Sequence, residues 1–316
     1  MRAPEFWQHD GLVPWLLAPL GAIYAAVTAR RMAQPGWRAP VPVLCVGNAG
    51  VGGSGKTTLV LDLGARLIAR GVKTAFLTRG YGGSLSGPLR VDPMLHGAAE
   101  VGDEALLLSG MAPTYLGANR AATARLAVAD GAAVLVMDDG LQNPSLAKDF
   151  SVLVIDGAAG FGNGRVIPAG PLREPVDAAA GRCQAVLLIG QDATGALKLL
   201  PAGLPVLRAR LASEVPPTGP LVAFAGIGRP EKFRETLEAA GAQVLRLHGF
   251  PDHHAYTEAE LRPIIDQAGD ATVVTTPKDA VRLPAALRGR VTPVRVRLEW
   301  DDPAAPEALL DCLLAG

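Results

Sequence analysis

Gly50-Val51-Gly52-Gly53-Ser54-Gly55-Lys56-Thr57 places two glycines, a lysine and a hydroxyl at the spacing G-x-x-x-x-G-K-[ST]. Glycines at that spacing let successive backbone N–H groups turn inward around a phosphate, and a helix beginning at the lysine adds about half a positive charge at its N-terminus. Lys56 would reach the β- and γ-phosphates of a nucleotide, the Thr57 hydroxyl would ligate Mg²⁺, and the eight residues together form a nucleotide cradle. The chain holds only six lysines (Lys56, Lys73, Lys148, Lys198, Lys232 and Lys278), so one inside a glycine loop is not background.

A second chemical element is Asp138-Asp139, at the end of the apolar run Val134-Leu135-Val136-Met137. Carboxylates delivered at the C-terminal end of a parallel strand lie where α/β sheets bind ligands, and can hold Mg²⁺ directly or through water. An Asp-Asp-Gly turn without metal is the alternative. Val101-Gly102-Asp103-Glu104 brings two more carboxylates to the start of a helix, where Asp103 is either a simple N-cap or a group facing an acceptor. His248, His253 and His254 are three of five histidines, but their spacing matches no standard metal set. A structural role, or pairing with a carboxylate across a domain cleft, suits them better. Position 51 is Val where partitioning-type ATPases carry a second lysine, and no N-K-x-D guanine reader is present, so ATP is preferred over GTP.

Positioning these groups requires strand–loop–helix units, and the sequence supplies them. Short apolar runs at Val43, Val72, Ala132, Ser151 and Ala185 alternate with helical patterns, one of which stacks Leu59, Leu63 and Leu67 on a single face. That alternation predicts a P-loop NTPase-type α/β fold with a doubly wound, mostly parallel sheet. Ala212 to Pro220 reads as a linker, after which a second strand–helix alternation predicts a smaller α/β domain closing with the strand VTPVRVRL. The expected organisation is an N-terminal apolar membrane-associating segment over 1–33, a P-loop kinase domain over 34–214 and a C-terminal domain over 215–316.

Thirty basic and thirty acidic residues cancel, which removes the long-range attraction that nucleic-acid binding relies on. Three distant cysteines indicate neither a disulfide framework nor a zinc knuckle. Mean hydropathy of +0.24 is high for a water-soluble chain. Part of the excess lies between Gly11 and Ala29, nineteen uncharged residues followed by Arg30-Arg31. The length suits a spanning helix, whereas Pro14, Pro19, Trp7, Trp15 and Tyr24 favour shallow insertion; a buried first helix is the third option. A secretory signal is disfavoured because Glu5 and Asp10 offset Arg2.

The ordered set of motifs resembles the tetraacyldisaccharide 4'-kinase family of lipid A biosynthesis. The resemblance rests on Gly47-Asn48 through Thr57, Arg79-Gly80-Tyr81-Gly82, Val101-Gly102-Asp103-Glu104, Asp138-Asp139-Gly140-Leu141-Gln142, Pro168 through Pro175, Ala223 through Ile227, Asp252-His253 and Lys278-Asp279-Ala280-Val281. It implies ATP and Mg²⁺ as cofactors, an acylated glucosamine disaccharide 1-phosphate as acceptor, and placement at the cytosolic face of a bacterial inner membrane, with no nucleic-acid or protein partner. Residue by residue, it implies that Asp103 accepts the proton of the sugar hydroxyl and that His253 orients it. Lys56 would act on the ATP phosphates and Arg173 on the transferring phosphoryl or the substrate's own phosphate, and Thr57, Asp138, Asp139 and Glu104 would organise the metal. Arg120 is a further candidate. The chain departs from the family pattern at Thr58, Leu141, Asn143 and Pro277; Asn143, standing where a His is usual, is the departure that could alter charge beside the metal carboxylates. A membrane-associated switch ATPase and a soluble small-molecule kinase are the rival readings.

Overall fold

The computed structural model describes residues 4–315; residues 1–3 and Gly316, the outermost positions of the expected terminal segments, lie outside them. The strands run β1 (Val43–Gly47), β2 (Thr74–Thr78), β3 (Leu89–Arg90), β4 (Thr114–Leu116), β5 (Val134–Asp138), β6 (Phe150–Asp156), β7 (Ala185–Ile189), β8 (Val206–Ser213), β9 (Pro220–Ala225), β10 (Gln243–Gly249), β11 (Thr272–Thr275), β12 (Thr292–Pro293) and β13 (Val296–Trp300). The helices are α1 (Leu12–Met32), α2 (Lys56–Ala69), α3 (Ala98–Val101), α4 (Asp103–Ser109), α5 (Arg120–Ala129), α6 (Val176–Ala180), α7 (Pro230–Ala239), α8 (Glu258–Asp266), α9 (Pro277–Ala280) and α10 (Ala305–Ala315).

Nine strands form one sheet in the order β13-β8-β7-β6-β1-β5-β2-β4-β3, parallel except where β3 and β13 join the two edges antiparallel. β1, β2, β5 and β7 are buried along their whole length, which is why they read as unbroken apolar runs rather than alternating ones. Leu59, Leu63 and Leu67 of α2 pack on one face of this sheet with Leu44, Val46, Phe76 and Val136; Cys45, Leu77, Leu135 and Met137 face the opposite core. β1 lies between β5 and β6: the chain leaves β1 toward β2 on one side and later crosses from β5 to β6 on the other. The residues after its C-terminal end therefore stand at a topological switch point.

The second sheet is fully parallel in the order β10-β9-β11-β12 and has its own core around Leu221, Ala223, Phe233 and Leu237. This sheet begins with β9 at Pro220, and the last strand and helix of the chain return from it to the large sheet. VTPVRVRL divides in two: Thr292–Pro293 pairs with β11 of the small sheet, whereas Val296–Trp300 pairs antiparallel with β8 of the large one. α10 then packs Leu309, Leu310 and Leu313 into the α2-side core of the large sheet. The alternating pattern gave a half-exposed strand and no sign of which sheet it joins, since an edge of either sheet buries one face of such a strand.

α1 is one unbroken helix despite two prolines. Pro14 occupies the first turn, where its missing N–H would have had no partner, and only Pro19 forfeits a helical bond. Pro14, Gly21 and Thr28, seven residues apart, form a narrow buried seam; Leu12, Trp15, Leu16, Leu20, Ile23 and Val27 are exposed. This exposure rules against the reading of a buried first helix. The seam sits on the segment after β6: a Cβ at Gly21 would lie 2.8 Å from the Val166 carbonyl oxygen, Trp7 Nε1 donates to the Pro168 carbonyl at 3.0 Å, and Arg165 meets Asp10 at 2.8 Å.

Candidate active site

The loop from Gly50 to Gly55 joins β1 to α2 at the C-terminal edge of the central strands. Gly55 is left-handed (φ +86°) and hands the chain to α2 at Lys56. The loop is braced from one side, where Val51 N–H donates to the Pro171 carbonyl and Arg173 N–H to the Ala49 carbonyl. The same segment that supports α1 thus also supports the phosphate loop and carries Arg173.

Thr57 Oγ1 donates to Asp138 Oδ2 at 3.3 Å, and Lys56 Nζ is 3.8 Å from Asp139 Oδ1. Arg173 Nη1 lies 2.9 Å from both oxygens of Asp139 and donates to Gln142 Oε1 at 3.2 Å. Gln142 in turn donates to the Asn48 carbonyl and to Glu174 Oε1. The two adjacent aspartates are pushed in opposite directions. Burial, with Asp139 beside it, raises the Asp138 carboxyl to about 6. Burial acts upward on Asp139 too, but Lys56 and Arg173 outweigh it and hold that carboxyl below its ordinary value. Lys56 itself is lowered, because burial outweighs the attraction of Asp139.

Gly102, with φ +82°, lets Val101 turn directly into α4, and a Cβ there would lie 2.4 Å from the Tyr81 carbonyl oxygen. The Arg79-Gly80-Tyr81-Gly82 loop and the start of α4 are therefore packed into one piece. α4 opens at Asp103, which is buried, with Gly102 in the cap position, so Asp103 is not the N-cap. Its Oδ2 lies 2.7 Å from His253 Nδ1, and His253 comes from the small domain. Beside it, Glu104 Oε1 accepts from Lys278 Nζ at 2.6 Å, also across the domains. Burial raises Glu104, but Lys278 outweighs it and the carboxyl is lowered; the same pairing raises Lys278 against its own burial. Lys232 reaches Asp156 at the end of β6 at 2.8 Å. Two small-domain lysines and one imidazole thus meet large-domain carboxylates across the cleft.

The three histidines do not converge. His253 meets Asp103, His254 meets Glu260 and stacks on Phe250, and His248 lies on β10. The group that could hold a metal by proximity is Asp103, Glu104 and His253. Asn143 is engaged locally: it donates to the Ala118 carbonyl, and its Oδ1 accepts from the Ser145 N–H and hydroxyl. Arg120 is buried at the start of α5 beside Asp138 and Asp139, burial lowering it to about 10. Arg282, which contacts Asp103 at 3.0 Å, was not among the expected site residues, and Lys278 and Lys232 had no expected role. The scarcity of lysine was the available signal for the last two, since three of the six lysines, Lys56, Lys232 and Lys278, lie along the cleft.

Among the described residues, five buried side-chain atoms lack a protein partner: Asn48 Oδ1, Ser54 Oγ, Glu104 Oε2, Arg120 Nε and Asp138 Oδ1. All belong to the phosphate loop, the strand-end aspartates or their immediate surroundings. Buried polar atoms are costly without a partner, so this clustering fits a site that takes a polar ligand.

The family model for tetraacyldisaccharide-1-P 4'-kinase matches residues 13–314. The chain belongs to this family. It is 58% identical to the tetraacyldisaccharide 4'-kinase of Gluconacetobacter diazotrophicus, over 99% of this chain and 98% of that protein, and 53% identical to the one from Rhodospirillum centenum, over 100% and 98%. It also resembles LpxK from Aquifex aeolicus, solved in complex with ATP, at 25% identity and a TM-score of 0.77, covering 96% of this chain and all of that one. Membership of the 4'-kinase family makes the chain an enzyme and a kinase, and the partner-driven switch ATPase is not favoured.

The ion contact between domains carries a pH dependence. His253 is raised by its hydrogen bond to Asp103, partial burial acting against this and Glu104 and Asp252 with it. Its charge-dependent share of the contact is therefore full below the ordinary histidine value of about 6.5 and is lost as pH rises through the raised value. An NMR titration of the His253 ring is expected to give a midpoint above 6.5, falling in Asp103→Asn; an unchanged midpoint in the variant would count against the pairing.

Proposed function

We propose that this kinase binds ATP with Mg²⁺ on the phosphate loop and transfers the γ-phosphoryl group to the 4'-hydroxyl of an acylated glucosamine disaccharide 1-phosphate, at the cytosolic face of the inner membrane. The observation that carries this is the cleft itself. A buried carboxylate, Asp103, held through Oδ2 by His253 and Arg282, precedes Glu104, and the charges of Glu104 and its partner Lys278 are near enough to act on Asp138, whose Oδ1 is buried without a partner.

Thr57 Oγ1 and Asp138, with its free Oδ1, offer hard oxygen ligands suited to Mg²⁺, and Glu104 Oε2 offers another. A Mg²⁺ held by these oxygens would supply positive charge that offsets the phosphates' negative charge. Asp139 serves the same site by fixing Lys56 and Arg173, whose charges oppose that of the phosphates. The acceptor oxygen forms its bond to γ-phosphorus as the bond to the β-γ bridging oxygen breaks, ADP leaves, and the hydroxyl proton passes to Asp103. In a loose transition state little proton transfer is needed early, so positioning of the hydroxyl counts for more than basicity.

An acylated acceptor does not leave the bilayer, and α1 supports delivery to it. Its exposed apolar face and the closing Arg30-Arg31 suit insertion beside anionic headgroups, and its seam rests on the segment that braces the phosphate loop. Each Leu or Ile inserted in the membrane contributes about 1.5–3 kcal/mol. Leu16→Glu together with Ile23→Glu is thus expected to weaken vesicle binding by roughly 10²-fold or more, read by co-sedimentation; unchanged sedimentation would refute the insertion.

The direct test incubates purified protein with γ-labelled ATP, Mg²⁺ and the acylated disaccharide 1-phosphate. A labelled bisphosphate is expected. Hydrolysis of ATP without label in the lipid would overturn the proposal.

A further inference from the structure

Arg282 lies just beyond α9 in the small domain and its side chain is 5% exposed, yet it reaches the large domain. Its Nε is 3.0 Å from Asp103 Oδ2 and donates to the Lys278 carbonyl at 3.2 Å. Nη1 donates to the His254 carbonyl at 2.9 Å, and Nη2 donates to the Gly226 carbonyl at 3.3 Å while standing 3.1 Å from Asp279 Oδ1. Asp279 is fully buried and is itself fixed by the Gly226 N–H, the Tyr256 hydroxyl and the Thr276 hydroxyl. The guanidinium is therefore anchored at its far end before it meets Asp103.

His253 is held in a left-handed conformation, φ +58°, unusual for a residue with a side chain. Its backbone N–H donates to the Gly226 carbonyl, the same oxygen that Arg282 Nη2 approaches, and the carbonyl of the next residue, His254, accepts from Nη1. Such a conformation persists only where surrounding contacts over-determine it, and Arg282 supplies two of them. One side chain thus fixes both members of the pair, the carboxylate by direct ion contact and the imidazole through the turn that presents it. His253 and Arg282 both address Oδ2, which leaves Oδ1 for the incoming hydroxyl.

We infer that Arg282 is a positioning residue for phosphoryl transfer, setting the Asp103–His253 pair as the small domain docks. The inference rests on Asp103 being the proton acceptor. The role requires a planar fork with donors in several directions, which an ammonium cannot reproduce.

The test is a double-mutant cycle on the full-length enzyme. Arg282→Lys keeps the charge and loses the fork; it is expected to lower kcat on the order of 10²-fold, the cost of a small misplacement of reacting groups, with KM for ATP and acceptor little changed. In an Asp103→Asn background the same substitution is expected to cause no further loss, because the group through which it acts is gone. Arg282→Gln, which keeps N–H donors toward the carbonyls, takes the place of the lysine variant if that one does not melt as a folded protein. Unchanged kcat in the Arg282 variant alongside collapse in Asp103→Asn would overturn this inference and leave the base assignment intact. Losses that multiply in the double variant would mark Arg282 as a general structural support and also overturn it. Full activity in Asp103→Asn alone would instead overturn the base assignment.

Discussion

Asp103→Asn is expected to lower kcat by roughly 10²- to 10⁴-fold, the range associated with removing a positioned general base, while leaving ATP affinity near that of the parent enzyme. Asn preserves the volume and an oxygen able to accept from His253; what is lost is the negative charge, and with it the ion contact to Arg282 and the capacity to take a proton. The proposed nucleotide site is the loop between β1 and α2, and among the described residues no hydrogen bond or ion pair joins Asp103 to that loop. Single-turnover transfer to the acylated acceptor, with nucleotide binding followed separately by calorimetry, separates the two quantities. A kcat within severalfold of the parent would show that proton removal does not depend on this carboxylate.

Lys56→Ala is the second large effect. Lys56 is the loop cation placed to meet the phosphates, its ammonium 3.8 Å from Asp139 and donating to the Gly52 carbonyl at 3.3 Å. Asp139 is in turn held by Arg173, so the two cations share one carboxylate and stand on the same side of the nucleotide cradle. Removing one preorganised charge from such a site costs on the order of 10²–10³ in kcat, since in a low-dielectric pocket it is worth far more than in water. The variant also leaves Asp139 with less compensation, and its lowered carboxyl value is expected to rise toward the ordinary range. Phosphoryl transfer at saturating ATP measures the first effect, and retention of kcat would remove Lys56 from the transfer step. Truncating Arg173 in the same background tests whether the two cations act as a unit; losses that fall short of multiplying indicate that they do.

Much of this enzyme was legible in its sequence because its chemistry rests on local pattern. The phosphate loop needs glycines at fixed spacing, followed by a lysine and a hydroxyl at a helix start, and all of that is contiguous. The aspartate pair needs only an apolar strand ahead of it, and strands buried on both faces declare themselves as short unbroken apolar runs. α2 announced its buried face through Leu59, Leu63 and Leu67, each a turn apart. The same logic failed where pairing is decided at a distance. VTPVRVRL, residues 291–298, alternates as a half-exposed strand should, but whether it joins the small sheet or returns to β8 depends on which edge is open, and that is a property of the assembled domains. The two-residue strand β3 and three-residue strand β4 escaped notice because they carry too few residues to show a period.

The cleft shows the division most clearly. The sequence by itself determined that the chain carries a phosphate loop, a strand-end carboxylate pair, a second acidic pair at Asp103-Glu104 and an uncharged N-terminal run from Gly11 to Ala29, since each is a run of neighbouring residues. Only the tertiary structure decided that Asp103 meets His253 and Arg282, that Lys278 takes Glu104, and that α1 rests on the segment bracing the phosphate loop. Asp103 and His253 are 150 residues apart in the chain. Nothing in local spacing can bring them to 2.7 Å; that distance follows from two separately folded sheets meeting along one cleft, where buried charge from one side finds its compensation on the other.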